Sequence, residues 1–389
     1  MNRKLVFTVA VLFATLSTNA QTSYLTVGDN IRLPEDSIDR LQLVANLNDF
    51  LIAIQHGNTE KWVLPSEKAE TELLIDEMKG MDKKDSMTFK PYLINVEALA
   101  DIKAYSVQVS YMGINKGAPL LRAVFELVAH RTDDRFLFSS PLVRNTRNWK
   151  TKTIEYMTFY YQDVAMENTI DKYAKAVMEY DLKFNNTETT KGIYFCNDCD
   201  DITCILRLTG IIYDLAANGI DWNAIDFKVR DKVIKFYTQR HSHREFDPHK
   251  LFHAAADNTI SPEKRNHYMI CGYAYIYAGE FCINWENIQK LFKTRMKYDK
   301  KTDWLKLYFD RYNFGESNEK FLLTMQFINA LILQKVEKEQ GFQSVMELLA
   351  SGSPYRDEEN FFKILEKVTG INKKNFNKEV GKLLQEAKL

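Results

Sequence analysis

The sequence has few of the residues that interrupt a packed chain, and neither sign of charge is in excess. It holds 15 Gly and 8 Pro in 389 residues, with no internal repeat and no low-complexity stretch. This composition excludes collagen-like and intrinsically disordered proteins. The 52 Lys and Arg residues balance 52 Asp and Glu residues, which argues against a dedicated nucleic-acid-binding protein, since such proteins carry a basic excess. The length and the 45% hydrophobic content are typical of a globular protein with two domains of about 150 residues each.

Long apolar runs are absent after the first twenty residues, so the sequence predicts no transmembrane segment. The one apolar run, Leu5 to Leu16, follows Arg3 and Lys4 and precedes the small residues Thr18-Asn-Ala20. A basic start, a short apolar core and a small-residue cleavage site are typical of a signal peptide. We therefore expect residues 1–20 to be removed before Gln21 and the mature protein to be secreted or periplasmic.

Cysteines are few, and their number is odd. Export permits disulfides, but with five cysteines at least one stays unpaired or binds a ligand. Cys196-Asn-Asp-Cys199 lies between a predicted strand and a predicted helix that carries Cys204, and this layout is typical of a thiol oxidoreductase. Three aspartates surround these thiols, and negative charge raises a thiol pKa. The sequence therefore favours a structural disulfide within Cys196, Cys199 and Cys204, with the oxidoreductase as an alternative.

The N-terminal part of the chain, residues 21–165, predicts a small α+β domain. Helical spacing covers residues 38–56 and 66–80, and the first of these helices places Ile38, Leu41, Val44, Leu47, Leu51 and Ile54 on one stripe. Alternating strands follow at residues 105–111, 121–128, 135–138 and 151–161, the last as one long strand. This order is compatible with a cystatin-like or NTF2-like unit. It offers no residues for chemistry.

The C-terminal part, residues 166–389, predicts a mainly helical domain. A helix is expected over residues 167–183, a short buried strand over 192–195 and another helix over 201–209. Long aromatic-rich helices follow from residue 285 to the C-terminus. Chemistry is concentrated in a histidine-rich segment of this part.

The histidine-rich segment predicts a helix that can bind a metal. Asp247 suits the N-cap position and Pro248 the first helical position. His249 and His253 are four residues apart, so they lie one turn apart on the same face and can meet one metal ion. Asp257 lies a further turn along, where it can orient His253 or supply an oxygen ligand.

From about residue 165 onward, the chain resembles the gluzincin-type, or peptidase-MA-like, zinc peptidases. In that family a strand precedes a helix that ends at Gly, as 192–195 and 206–210 do here. The family's active helix carries His-Glu-x-x-His, where this chain has His249-Lys-Leu-Phe-His253. The third zinc ligand of the family is a Glu on a later helix, in a Glu-Gly-x-Ala-x-Tyr pattern. This chain has Cys271-Gly-Tyr-Ala-Tyr at the corresponding place. Near the zinc of that family a Tyr or His can stabilise the oxyanion, and Tyr273, Tyr275 and Tyr277 are candidates here.

Two departures from the family pattern bear on function. The Glu after the first His is the general base of a zinc peptidase, and here it is Lys250, whose ammonium group cannot accept a proton. The third ligand is Cys271 instead of Glu. Cys is a good zinc ligand, so His249, His253 and Cys271 leave a zinc site open as an alternative to a dead site without a cofactor. A disulfide between Cys271 and Cys282 is a further alternative.

These features predict an exported, catalytically inactive zinc-peptidase-like protein that serves in binding or scaffolding, with a peptide or protein partner and no nucleic acid. The first alternative is an active metallopeptidase with a His/His/Cys zinc site and a base from elsewhere, such as Asp257 or Glu245. The second alternative is the thiol oxidoreductase that uses Cys196 and Cys199.

Overall fold

The computed structural model describes most of the chain beyond the predicted signal peptide. The described residues are 23–84, 87–100, 103–186, 190–196, 202–214, 226–229, 232–238, 248–296, 302–315 and 321–387. For residues 190, 195–196, 202–205, 226–229 and 232–238, only the backbone is described. Residues 1–20 and the predicted cleavage point before Gln21 lie outside these ranges. No helix in the described ranges has the length and apolar character that a bilayer crossing requires.

Strands dominate the first half of the described chain and helices the second half, which confirms the mixed α+β content predicted from the sequence. The strands are β1 (Thr26–Val27), β2 (Lys83–Lys84), β3 (Met87–Thr88), β4 (Lys90–Leu99), β5 (Ala104–Asn115), β6 (Ala118–Arg131), β7 (Phe136–Ser139), β8 (Lys150–Ile154), β9 (Met157–Tyr161), β10 (Thr190–Cys196), β11 (Ile211–Asp214), β12 (Asp226–Val229) and β13 (Lys232–Thr238). The helices are α1 (Ser37–His56), α2 (Lys68–Met78), α3 (Leu142–Thr146), α4 (Glu167–Phe184), α5 (Ile202–Thr209), α6 (His249–Thr259), α7 (His267–Tyr277), α8 (Trp285–Arg295), α9 (Trp304–Phe309), α10 (Thr324–Gln340), α11 (Phe342–Leu349), α12 (Glu358–Thr369) and α13 (Phe376–Glu386).

The chain divides into two compact units, and the first comprises Met1–Pro141 with Thr209–Asn218. Its sheet has the order β1-β4-β5-β6-β11, with β7 also paired to β6. Strands β4 to β7 form an antiparallel meander, as their alternating sequence predicts. Helices α1 and α2 pack on β7, where the rings of Phe50 and Phe138 stack with centroids 4.8 Å apart. A cystatin-like or NTF2-like fold remains a prediction for this unit.

Helix α1 buries a different face from the predicted stripe in its first turns. Leu47, Leu51 and Ile54 are buried as predicted, but Ile38 and Leu41 are 60% and 72% exposed. In this part of the helix Leu43 is buried instead. The first turns of α1 carry apolar residues on two faces, and the helical period alone does not say which face the sheet covers.

The second unit comprises Leu142–Leu208 and Gly219–Leu389, and it contains a sheet that the sequence reading missed. The sheet has the order β12-β13-β10-β9-β8, with β10 parallel to both of its neighbours. The predicted long strand over 151–161 was wrong, because the chain turns at Glu155, whose φ is 50°, and forms the antiparallel hairpin of β8 and β9. Since β9 pairs with β10, this hairpin belongs to the second unit. The division therefore falls at Pro141 and not near residue 165.

Helices α6 to α13 form the larger part of the second unit around one apolar core. Every residue from Met269 to Tyr275 in α7 is buried, which is typical of a central helix. Helix α7 packs along α10, and Gly272 permits their close approach, because a Cβ there would lie 2.6 Å from the carbonyl oxygen of Gln326. This packing holds the α7 side chains in fixed positions beside α6.

A pair of acidic side chains in the first unit predicts that its stability depends on pH. Burial, together with the hydrogen bond and charge of Asp214 and the charge of Asp76, raises the pKa of Glu77 to about 7. A raised pKa stabilises the fold at low pH, and this stabilisation is lost as the pH rises from about 4.5 through about 7. Glu77→Gln should therefore leave stability nearly unchanged at pH 5 and increase it at pH 8, on the order of 1 kcal/mol after screening by water.

Urea denaturation at pH 5 and pH 8 measures this effect. Glu35→Gln is the matched control, because Glu35 is an exposed residue of the same unit whose carboxylate lies 4.0 Å from Arg32. A surface pair of that kind should contribute less than about 1 kcal/mol at either pH. Equal effects of Glu77→Gln at both pH values would contradict the assignment.

Candidate metal centre

Helix α6 begins at the histidine that the sequence singled out. Pro248 precedes it with φ −77° and ψ −6°, and the Pro248 carbonyl accepts a hydrogen bond from Phe252 N. The proline thus stands at the helix start, where its missing N–H is not needed. Asp247, the predicted N-cap, lies outside the described residues. Phe252, Ala255 and Ala256 are buried in the core, so the face that carries His249 and His253 is held beside α7.

Helix α7 places the thiol of Cys271 beside the histidines of α6. Asn266 caps its start, accepting a hydrogen bond from Met269 N at 3.1 Å. Cys271 follows one turn later and points toward α6, where its Sγ lies 3.3 Å from His253 Nε2. The close packing of α7 on α10 at Gly272 fixes the position of this thiol.

The donor atoms of His249, His253 and Cys271 lie within 4.8 Å of one another. Zinc binds imidazole nitrogen at about 2.0 Å and thiolate sulfur at about 2.3 Å, so tetrahedral neighbours are separated by about 3.5 Å. The observed sulfur–nitrogen distance of 3.3 Å is close to that value. The structure thus brings together the three side chains that the sequence proposed as ligands, in a group that could hold a metal ion.

His249 is oriented by the turn that follows α7. Its Nδ1 lies 2.6 Å from the carbonyl oxygen of Gly279. Since a carbonyl only accepts, Nδ1 carries the proton and donates it. A metal-binding histidine usually donates its second ring N–H in this way, which leaves the other nitrogen for the metal. Here that other nitrogen is Nε2, and it lies 3.1 Å from Glu280 Oε2.

The protonation of the centre follows from its burial. Burial lowers the pKa of His253 well below its ordinary value, and the neighbouring His249 and His267 lower it further. Neutral imidazole is the form that binds metals. Burial also raises the pKa of Cys271, with a further contribution from Glu280. The thiol is therefore protonated without metal, and a bound metal would have to replace its proton.

Lys250 and Asp257 lie outside the three-donor group. Lys250 is exposed, so its ammonium group remains at the surface of the helix. The Asp257 carboxylate pairs with Arg265, at 3.2 Å between Oδ1 and Nε. Burial lowers the pKa of His267 below its ordinary value, and the charge of Asp257 partly offsets this effect. Its predicted role toward His253 remains a prediction.

Two residues near the centre were missed by the sequence analysis. His267 Nε2 lies 3.4 Å from Cys271 Sγ, and the spacing of four residues on one helix was a signal that could have found it. Glu280 is brought to His249 by a turn, and nothing in the local sequence marks it as a ligand.

Two of the three candidate tyrosines of α7, Tyr275 and Tyr277, donate their hydroxyl groups to side chains of α10. Tyr275 is buried, and its hydroxyl donates to Gln326 Oε1 at 2.6 Å. The Tyr277 hydroxyl donates to Glu337 Oε2 at 2.6 Å. Both acceptors belong to α10, so these two hydroxyls serve the packing of α7 on α10. The role of an oxyanion donor, which the family resemblance offered, receives no support from them.

The cysteine predictions have different outcomes. Cys271 and Cys282 are not joined by a disulfide, so the disulfide proposed between them was wrong. Cys196 ends β10 and Cys204 lies in α5, which confirms a strand before the cysteine pair and a helix after it. Their side chains and the whole of Cys199 lie outside the described part of the structure. The disulfide cluster and the thiol oxidoreductase remain predictions.

Comparison with protein-family models finds none that matches this chain, and comparison with curated proteins finds no significantly similar protein. The gluzincin family is therefore a prediction that depends on the motifs in the sequence. The donor geometry is independent of that prediction.

Proposed function

We propose that this protein is an exported, non-hydrolytic zinc-peptidase-like protein that binds zinc through His249, His253 and Cys271 and serves in binding a peptide or protein partner. The observation that carries the proposal is the meeting of these three donors within 4.8 Å, beside a lysine at the position where a peptidase needs a proton acceptor. Of the two alternatives left open for the cofactor, the geometry favours a retained zinc site.

Burial of the centre supports the absence of hydrolysis. Cys271 is 5% exposed and His249 is 8% exposed. A peptide carbonyl has to reach the metal in order to be polarised by it, and donors this deeply buried leave little access. Zinc in such a place supplies a cross-link between secondary-structure elements, since structural zinc contributes directly to folding free energy.

Lys250 supports the same conclusion from the chemistry of proton transfer. General-base catalysis contributes about 10²–10⁴-fold to a rate. An exposed ammonium has three N–H donors and no acceptor, so Lys250 cannot take the proton of an attacking water. The partner-binding role is inferred from the family resemblance together with this loss of the proton acceptor.

Zinc binding is tested on the purified full chain and two cysteine variants. The wild type should retain one zinc per chain after dialysis. Cys271→Ser should bind at least about 100-fold more weakly, because its loss removes a ligand and not merely a supporting partner. Cys282→Ser is the matched control, since Cys282 is exposed and does not belong to the group of three close donors, and it should bind zinc like the wild type. A wild-type chain that takes up no zinc would contradict the proposal.

The absence of hydrolysis is tested on the zinc-loaded wild type with a mixed peptide library. Product formation should not exceed that of the chelator-treated protein. Chelator-sensitive cleavage at an ordinary turnover, lost on substitution of Lys250, would show that the protein is an active metallopeptidase. That outcome would leave the metal site intact and reject the non-hydrolytic role.

A further inference from the structure

The turn after α7 holds the carboxylate of Glu280 beside His249 of the candidate metal centre. Gly279 has φ 72°, and a Cβ there would lie 2.3 Å from the carbonyl oxygen of Ile283. Glu280 and Ile283 exchange two backbone hydrogen bonds of 3.0 and 2.8 Å. The residues between them, Phe281 and Cys282, have φ of 49° and 61°. Two left-handed residues closed by such a pair are typical of a type I′ turn.

The conformation of this turn is unfavourable for its residues. Type I′ turns are normally made by Asn and Gly, because a Cβ disfavours the left-handed region. Phe281 and Cys282 adopt it nonetheless. Strained backbone of this kind persists where the surrounding structure over-determines it, and it is concentrated at functional sites. The feature that this turn places is the Gly279–Glu280 pair, which contacts both nitrogens of His249.

Resting on the proposed zinc binding, we propose that Glu280 is the fourth protein ligand and that the centre is a closed, structural zinc site. Glu280 Oε2 lies 3.1 Å from His249 Nε2, the nitrogen that does not donate to Gly279, and a bound metal would take the place of a proton held between these two atoms. Oxygen and nitrogen ligands of one zinc, each at about 2.0–2.2 Å, are separated by about 3.4 Å in tetrahedral geometry. The carboxylate is thus already at nearly the distance of a neighbouring ligand.

Charge balance also favours Glu280. Two neutral imidazoles and one thiolate leave a zinc ion with one uncompensated positive charge, and an uncompensated charge is unfavourable in a buried site. The Glu280 side chain is only 15% exposed, and its carboxylate would bring the centre to neutrality. Zinc with four protein ligands has no open position for water, which is the arrangement of structural sites.

Two other side chains compete for the fourth position. Asp257 is the less suitable, because its carboxylate pairs with Arg265. His267 Nε2 contacts the sulfur of Cys271 at 3.4 Å, but an imidazole ligand would leave the positive charge of the centre uncompensated. Neither His267 nor Glu280 belongs to the group of donors that lie within 4.8 Å of one another. Glu280 is distinguished by its contact with His249 and by the turn that holds it there.

The experiment uses Co²⁺ as a spectroscopic probe of the purified full chain. The thiolate-to-cobalt absorption reports whether the site is filled, and the visible bands report its coordination. Glu280→Gln keeps the shape of the side chain and removes its charge. It should weaken Co²⁺ binding by about 100-fold, at or above the loss caused by removing a supporting partner, and it should change the visible bands. Glu286→Gln is the control, because Glu286 is exposed on α8 and pairs with Lys290.

Addition of azide separates a closed centre from an open one. The Co²⁺-loaded wild type should show no spectral change, whereas Co²⁺-loaded Glu280→Gln should take up the anion at the vacated position. Equal Co²⁺ affinity in Glu280→Gln and the wild type, or azide uptake by the wild type, would overturn the role of Glu280 and leave zinc binding standing. Weakening in His267→Gln but not in Glu280→Gln would assign the fourth position to His267. A wild type that binds no Co²⁺ or Zn²⁺ would overturn the proposed function itself.

Discussion

Raising the pH from 6 to 8 is expected to lower the dissociation constant for Zn²⁺ by about 100-fold, because one thiol proton must leave for each zinc that binds. Burial raises the pKa of Cys271, and the charges of Glu280 and Asp257 add to the effect, so the thiol is protonated over this whole range. His253 is already neutral there, because burial lowers its pKa well below its ordinary value. Each pH unit then favours the zinc-bound thiolate by about tenfold.

Competition with a chelator of known pH dependence measures this slope. Calorimetry in buffers of different ionisation enthalpy should independently find about one proton released per zinc from the thiol. Cys282→Ser should keep the slope, and Cys271→Ser should lose it together with most of the affinity. A dissociation constant that does not change between pH 6 and 8 would exclude the Cys271 thiolate from the centre.

Gly272→Ala is expected to destabilise the second unit by about 3 kcal/mol, the upper part of the range for overpacking in a dense core. In an exposed helix the same change would stabilise by about 1 kcal/mol, since Ala is the better helix former. At Gly272 the cost of overpacking exceeds the gain in helix propensity. The new Cβ would lie 2.6 Å from Gln326 O and 2.7 Å from Asn329 Cβ, and these α10 atoms cannot rotate away. Helix α7 would have to move from α10.

Such a movement would break a hydrogen bond as well as packing. Asn329 Nδ2 on α10 donates to the Tyr268 carbonyl on α7 at 3.1 Å. Because Cys271 precedes Gly272, zinc affinity should fall with the stability.

Urea denaturation with linear extrapolation measures the change in unfolding free energy. Gly28→Ala is the control for the Gly-to-Ala change itself, because its Cβ would meet only Ile31 side-chain atoms at 3.6 and 3.9 Å. It should change stability by less than about 1 kcal/mol. A Gly272→Ala variant as stable as the wild type would show that α7 and α10 are not held at this distance.

Much of the secondary structure was predictable because it depends on local patterns. The helix predicted over 167–183 is Glu167–Phe184 in the structure, and the one predicted over 201–209 is Ile202–Thr209. Capping residues and periodic apolar positions decide such elements within a few neighbouring residues. The hairpin at Glu155 was not predictable in this way, because a residue that is not glycine takes a positive φ there. Alternation continues through that turn and gives no sign of it.

The sheet of the second unit was missed for a related reason. Its central strand β10 pairs with β9 on one side and β13 on the other, across long stretches of sequence. The sequence of a short apolar strand does not indicate which other strands it pairs with. The predicted boundary near residue 165 was wrong for the same reason, because β8 and β9 were assigned to the first unit from their alternating sequence alone.

For the candidate metal centre, the sequence by itself determined that His249 and His253 share a helix face and that a lysine, Lys250, follows the first of them, because helical spacing and residue identity are local properties. Only the tertiary structure decided that Cys271 meets them, that its thiol is buried and that Glu280 reaches His249 Nε2. These depend on the packing of α7 between α6 and α10 and on a strained turn. Contacts between residues distant in the chain are set by such packing, which no local pattern encodes.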